Sequence, residues 1–184
     1  AAWLNFVGDV EAAVASLEEM RRIWTESGKD LAGLNATEFA LGCVLDDGEP
    51  FDSPRAMAQA GPRAAVILHR AADEAISGLP NASGIPDAAA EAISRYVEHA
   101  MGYEPKDAKY LENHRGHLMF VKPEEQKYVT AELIRDTSFT APEAELKNRI
   151  GDLRDAGYDQ FTIQIVPGQE DAIEDWGRIK RSFA

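Results

Sequence analysis

Thr37-Glu38-Phe39-Ala40-Leu41-Gly42-Cys43-Val44-Leu45 is a nearly unbroken apolar run, closed by Asp46-Asp47-Gly48-Glu49-Pro50. A strand apolar at successive positions suits a sheet covered on both faces, the condition of parallel sheets in α/β folds. Near the other end, Phe161-Thr162-Ile163-Gln164-Ile165-Val166 is rich in β-branched residues and stops at Pro167-Gly168, which marks a second strand.

The surroundings of these strands read as helix. Val10, Ala13, Val14, Leu17, Met20 and Trp24 share one face at helical spacing, with Asp9 as N-cap and Gly28 as the stop, so a helix is expected over about 9–27. Ser53-Pro54 opens another, and Pro62 kinks or splits it between 54 and 77. Residues 77–86 hold two Gly and two Pro and read as a loop. From 87 to about 113 the pattern is helical but polar, with Ile93, Tyr96, Val97, Ala100 and Met101 as its apolar side. This stretch, about 80–113, is expected as an excursion packed on the main body. Leu118–Val121 is a short apolar run before a helix expected over about 123–134. Thr140-Ala141-Pro142-Glu143 fits a capping box for a helix that carries Leu146, Ile150 and Leu153 and stops at Gly157. Ala172, Ile173, Trp176, Ile179 and Phe183 form a last amphipathic face. Strands joined by long helical connections run parallel, so the class is α/β. Two strands alone make no stable sheet, and further strands are expected from elsewhere.

The 184 residues suffice for a single domain with a real core. The formal net charge of −13 disfavours nucleic-acid phosphate and anionic membrane surfaces as partners, and leaves a small-molecule substrate open. Cys43 is the only cysteine, which excludes an internal disulfide and fits a reducing, cytoplasmic setting. No apolar stretch reaches the roughly 20 residues that span a bilayer, and no secretory signal is visible. The opening Ala1-Ala2-Trp3 has no Met, so the chain is expected to start within a domain. There is no G-x-G-x-x-G, P-loop, G-x-S-x-G or H-E-x-x-H pattern.

The run Gly42-Cys43-Val44-Leu45-Asp46-Asp47-Gly48-Glu49-Pro50-Phe51-Asp52-Ser53-Pro54-Arg55 resembles a segment of luciferase-like flavin-dependent oxidoreductases. Ala60-Gly61-Pro62, on the way to His69, and Leu153-Arg154-Asp155-Ala156-Gly157-Tyr158-Asp159-Gln160-Phe161 resemble other parts of the same group. It includes bacterial luciferase-like monooxygenases and deazaflavin-dependent methylene-tetrahydromethanopterin reductases. The resemblance implies the C-terminal portion of a TIM (β/α)8 barrel over residues 1–184, about strands six to eight, with a helical insertion. In that frame 37–45 is strand six and 161–166 strand eight. Strand seven falls near Leu118–Val121 or near Ile134–Phe139. It further implies FMN or the deazaflavin coenzyme F420, without choosing between them, a small organic substrate, and a homodimer. A complete two-layer α/β domain is the competing fold. A barrel relative without catalysis, or a partial chain serving as an interaction subunit, is the competing function.

Barrel enzymes place chemistry at the carboxyl ends of the strands. Here those ends lead into Asp46, Asp47 and Glu49, and into Pro167-Gly168-Gln169. Asp46 and Glu49 are candidate pocket carboxylates; the alternative is a solvated turn. Gln164 alternates with apolar neighbours and is expected to point into the barrel, to a ligand or to a structural hydrogen-bond partner. His114-Arg115-Gly116-His117 is the densest polar cluster. Arg115 offers a fixed charge and His114 or His117 a proton donor, against the alternative of a satisfied turn. The two histidines stand three apart, but the sequence offers no third ligand, so no metal is assigned. No catalytic or cofactor-binding residue is carried over from the family.

Overall fold

The computed structural model describes residues 1–79 and 89–183. Strand β1 (Ala2–Asn5) leads to helix α1 (Val10–Glu26), which returns the chain to β2 (Asn35–Ala40). The Asp9 carboxylate accepts from the Ala12 amide at 2.8 Å, and Gly28 takes a left-handed φ of 73° past the helix end, both as expected. After β3 (Val44–Leu45), Ser53 Oγ caps α2 (Pro54–Gln59). The chain breaks at Ala60 and continues as α3 (Gly61–Ile76), with Pro62 in its first turn. Residues 89–130, which come after α3 and are called the insertion from here on, hold helices α4 (Ala90–Ala100) and α5 (Tyr110–Asn113) with the turns that follow; α6 (Ala131–Thr137) leads back to β4 (Ala141–Pro142). Helix α7 (Glu143–Ala156), β5 (Gln160–Ile163) and α8 (Ala172–Arg181) close the order.

The fold is mixed α/β with parallel strands. β2 is the middle of a three-stranded sheet in the order β1-β2-β5, with Ala2 opposite Asn35 and Thr37 opposite Gln160. β3 and β4 form a second parallel pair. The chain from 35 to 45 therefore pairs with β5 over its first half and with the β4 segment over its second, where Phe139 donates to the Leu41 carbonyl at 2.9 Å and Ala141 to that of Cys43 at 3.2 Å. A Cβ on Gly42 would lie 1.9 Å from the Phe139 oxygen, so the close approach requires glycine there.

Two apolar cores result. In the first, Ala36, Ala40, Val44 and Phe139 of the strands meet Leu17, Leu146, Leu153 and Ile179 of α1, α7 and α8. In the second, Cys43 and Leu45 meet Leu68 of α3, Ile93 and Tyr96 of α4, and Leu133 and Ile134 of α6. The second core fastens the insertion to the body, and each fully buried leucine in it contributes about 1.5–3 kcal/mol.

Several expectations are corrected. β1 supplies one of the strands that 37–45 and 161–166 lacked. The strand sought at 118–121 is a turn in which Leu118 has a φ of 60°. At 134–139 the chain is helical to Thr137, and the ladder starts only at Phe139. The helix expected over 123–134 is a short 3-10 turn, Gln126–Tyr128, followed by α6, because Thr130 Oγ1 caps Leu133 at 3.2 Å and restarts the helix there. Thr140 does not cap α7. Its hydroxyl is buried, accepts from the Cys43 amide at 3.2 Å and lies 2.7 Å from Ser138 Oγ. The polar stretch to 113 is two helices separated by turns, and most of the loop at 77–86 lies outside the described residues.

Candidate functional site

Helix α3 carries His69 at 1% exposure, facing the insertion. The insertion answers with a chain of tight turns: His114 donates its amide to the Tyr110 carbonyl at 2.9 Å, and His117 to that of His114 at 3.0 Å. Gly116 adopts a φ of 82°, and a Cβ there would meet the Phe120 ring at 2.6 Å. That fold-back sets His114 and His117 on one side. His114 Nδ1 lies 3.1 Å from His117 Nδ1, and the His69 ring centre is 5.5 Å and 5.7 Å from theirs. One ring nitrogen from each of the three lies within 4.8 Å of the others.

Carboxylates hold the outer edges of two of these rings. His69 Nε2 lies 2.9 Å from Glu125 Oε1, and His114 Nε2 lies 2.6 Å from Asp73 Oδ2. Glu125 also accepts from the Tyr96 hydroxyl at 2.7 Å and from the Lys122 ammonium at 3.0 Å. Asn113 donates to the His69 carbonyl at 2.9 Å and to Asp73 Oδ1 at 2.8 Å. Glu125, Lys122 and Asn113 are completely buried. Burial drives the Glu125 carboxyl upward, but bonds from His69 and Tyr96 outweigh it and hold it at about 2. His117 is displaced downward, first by burial and then by its neighbours His114 and His69. An ionised Glu125 accepts only, so His69 Nε2 donates, and in the neutral ring Nδ1 is a bare lone pair. That Nδ1 is buried and has no partner among the described residues.

The other sequence candidates fall elsewhere. Glu49 is bound by Arg55, by Ser53 Oγ at 2.6 Å and by the Asp46 amide at 2.9 Å. Burial pushes its carboxyl upward, and these donors bring it down to about 2. Asp46 is exposed, 3.2 Å from Arg55, so the pair locks the turn after β3. Arg115 faces solvent between Glu112 at 2.9 Å and Glu124 at 3.2 Å. Gln164 donates to the Leu118 carbonyl at 2.9 Å. Its face is opposite to that of Phe161, Ile163 and Ile165, which join the sheet–helix core, and its partner is the insertion turn. The sequence brought His114 and His117 forward but missed His69, Asp73 and Glu125, which lie on helix or turn positions ordinary in pattern. Cys43 is buried, and burial pushes its thiol up to about 12, so it is inert packing.

At the carboxyl ends of the strands lies a groove of about 480 Å³. The segment after β3 gives Asp52, Pro54 and Met57, the insertion turn gives Phe120, and the segment after β5 gives Val166 and Gln169. On the central strand, Glu38 is fully buried and was not singled out from the sequence. Its Oε1 accepts from the Val7 amide at 3.0 Å, while Oε2 has no partner among the described residues.

No model of a known protein family matches the chain, and no curated protein matches it. Among solved structures it is similar to the coenzyme F420-dependent tetrahydromethanopterin reductase of Methanopyrus kandleri, at 15% identity and a TM-score of 0.47. The match covers 96% of this chain and 43% of that one, so this chain spans less than half the length of that protein. A likeness at this level assigns the chain no activity. Among the described residues no helix is long and apolar enough to cross a membrane.

Proposed function

We propose that the chain is the C-terminal part of a (β/α)8 barrel and acts as an oxidoreductase that uses F420 or FMN on a small organic substrate. The observation that carries this reading is the groove: loops that follow β3 and β5, two elements of parallel ladders, wall one cavity at the strands' carboxyl ends. Parallel α/β sheets place their ligands at that end. The resemblance of residues 42–55 to luciferase-like enzymes supports it independently.

The lining suits part of such a cofactor. Met57, Phe120, Val121 and Val166 offer apolar surface to a flat ring, and Gln126 and Gln169 offer polar contacts to its edge. Among the described residues the lining holds no cation for a phosphate arm, and Asp52 has the wrong sign, so what is described of this groove fits the ring and not the phosphate. The cofactor supplies the hydride or oxygen chemistry. The chain's own contribution would be the apolar contact of Met57, Phe120 and Val166, which would position the ring and keep water from it.

Titration of the purified protein with F420 and with FMN, read by cofactor fluorescence, tests this. Dissociation in the micromolar range is expected for one of them, weakened by Phe120→Ala. Absence of binding for both at about 100 μM, with the protein folded, overturns the reading.

A further inference from the structure

The histidine cluster stands apart from the flavin reading and carries a different chemistry. His69, from α3, and His114 and His117, from the turns after α5, bring one ring nitrogen each within 4.8 Å of the others. The outer nitrogens of two are engaged by acids, His69 by Glu125 and His114 by Asp73. A carboxylate on one imidazole nitrogen fixes the tautomer and leaves a lone pair on the other, the arrangement found behind metal-ligating histidines. That leaves His69 Nδ1 without a partner among the described residues, and His114 Nδ1 3.1 Å from His117 Nδ1.

We propose that His69, His114 and His117 bind a single divalent transition-metal ion of the zinc type through their inward ring nitrogens. Tetrahedral zinc with Zn–N near 2.0–2.1 Å sets ligand nitrogens about 3.3 Å apart. The His114–His117 pair is already at 3.1 Å, and His69, whose ligand nitrogen lies within 4.8 Å of theirs, needs to close by no more than about 1.5 Å to reach the same spacing. A hydrogen bond between His114 and His117 accounts for that one contact, but it leaves His69 Nδ1 buried and unpartnered. A cation accounts for both. The donor set matches as well: imidazole nitrogen suits zinc, copper and nickel, whereas magnesium and calcium want oxygen. Lys122 shares the Glu125 oxygen that holds His69, so Asp73 supplies the less compensated negative charge. His114 is 36% exposed at the side chain, so the cluster lies within reach of solvent.

Metal-stripped protein is titrated with Zn²⁺ by calorimetry, and Co²⁺ is added as a spectroscopic probe. One equivalent of Zn²⁺ is expected to bind with a dissociation constant below about 1 μM. Co²⁺ is expected to give the intense visible bands of a four-coordinate site. His69→Gln, which keeps an N–H for Glu125, and His117→Ala each abolish both signals. Asp73→Asn weakens binding roughly tenfold to a hundredfold. His99→Ala, on α4 and outside the cluster, leaves binding intact. If His69→Gln fails to fold, the part-exposed His117 decides. Folded wild-type protein that takes up no Zn²⁺, or binding that survives His117→Ala, overturns the proposal.

Discussion

Glu38 on the central strand and Glu125 in the insertion are both completely buried carboxyls, yet their environments drive them in opposite directions. Glu38 has one firm donor, the Val7 amide, and an oxygen without a partner among the described residues. Burial therefore dominates and lifts it to about 7. The cation that acts on it, Arg63, is itself so buried that its guanidinium is drawn down to about 10. Glu125 is just as buried but collects His69, Tyr96 and Lys122 on one oxygen and the Lys122 amide on the other, and it is held at about 2. Burial sets the same penalty at both places; the number of donors decides its outcome. The sheet stores an unsatisfied acid, whereas the insertion is organised around a satisfied one.

The largest effect expected from this contrast is at Glu125. Glu125→Ala takes the nearest carboxylate from the fully buried Lys122 ammonium, which keeps the Glu112 carbonyl at 2.6 Å and the Tyr103 hydroxyl at 3.2 Å, and removes the acceptor of His69 Nε2. Removing one partner of a buried ion pair costs about 3–5 kcal/mol, to be read by urea unfolding. Glu38→Gln is expected to act the other way. Above pH 7 it replaces a carboxylate that burial disfavours with a neutral amide. The displacement from 4.5 to about 7 corresponds to a gain of up to about 3 kcal/mol at pH 8. A loss of stability in that variant, or a gain on Glu125→Ala, breaks the comparison.

Stability against pH sharpens it. Glu38 holds its proton more tightly when folded than when unfolded, so its contribution is complete below about 4.5 and disappears as the pH rises through about 7. Glu125 holds its proton less tightly when folded, so its contribution is present above about 4.5 and disappears as the pH falls through about 2. Unfolding free energies across this range should therefore fall on both sides. Glu38→Gln should flatten the upper limb alone, and Glu125→Gln the lower limb alone. Tyr96→Phe is a smaller probe of the same network. Its single hydroxyl proton lies within reach of both Glu125 Oε1 and Asn113 Oδ1, so its removal is expected to cost about 1–2 kcal/mol, without the broken ion pair of the alanine variant.

The same contrast explains what the sequence disclosed. Parallel α/β class, α1 with both ends, the split at Pro62 and the left-handed stop at Gly157 follow from local pattern, and the structure has them. β1 was hidden because four residues, Ala2–Asn5, give too short a window for periodicity. β4 was hidden because a two-residue strand that ends in a proline looks like a cap, and Thr140 spends its hydroxyl on Cys43 instead. At the site, His114 and His117 were visible as neighbours in sequence. His69 reads as one residue of an apolar helix face, and only its meeting with a turn some 45 positions later gives it a role. The acids behind the rings, Asp73 and Glu125, sit in surface-like stretches of sequence and become special by tertiary placement alone.

Arg115 measures the other extreme of that placement. From sequence it looked like the fixed charge of a pocket, beside two histidines. In the fold its side chain is about half exposed, paired with Glu112 and Glu124, and turned from the three rings. Its guanidinium is pushed upward first by the hydrogen bond to Glu112, an interaction that water and salt screen almost entirely at the surface. Arg115→Ala is accordingly expected to leave the urea midpoint where it is at physiological salt, and to leave Zn²⁺ uptake by the cluster unchanged. The buried glutamates show strong electrostatics where water is excluded, and Arg115 tests the converse with a paired charge in water. A clear drop in midpoint would mean that the insertion turn depends on its outer ion pairs, and that the contrast between its interior and its rim is weaker than the geometry indicates.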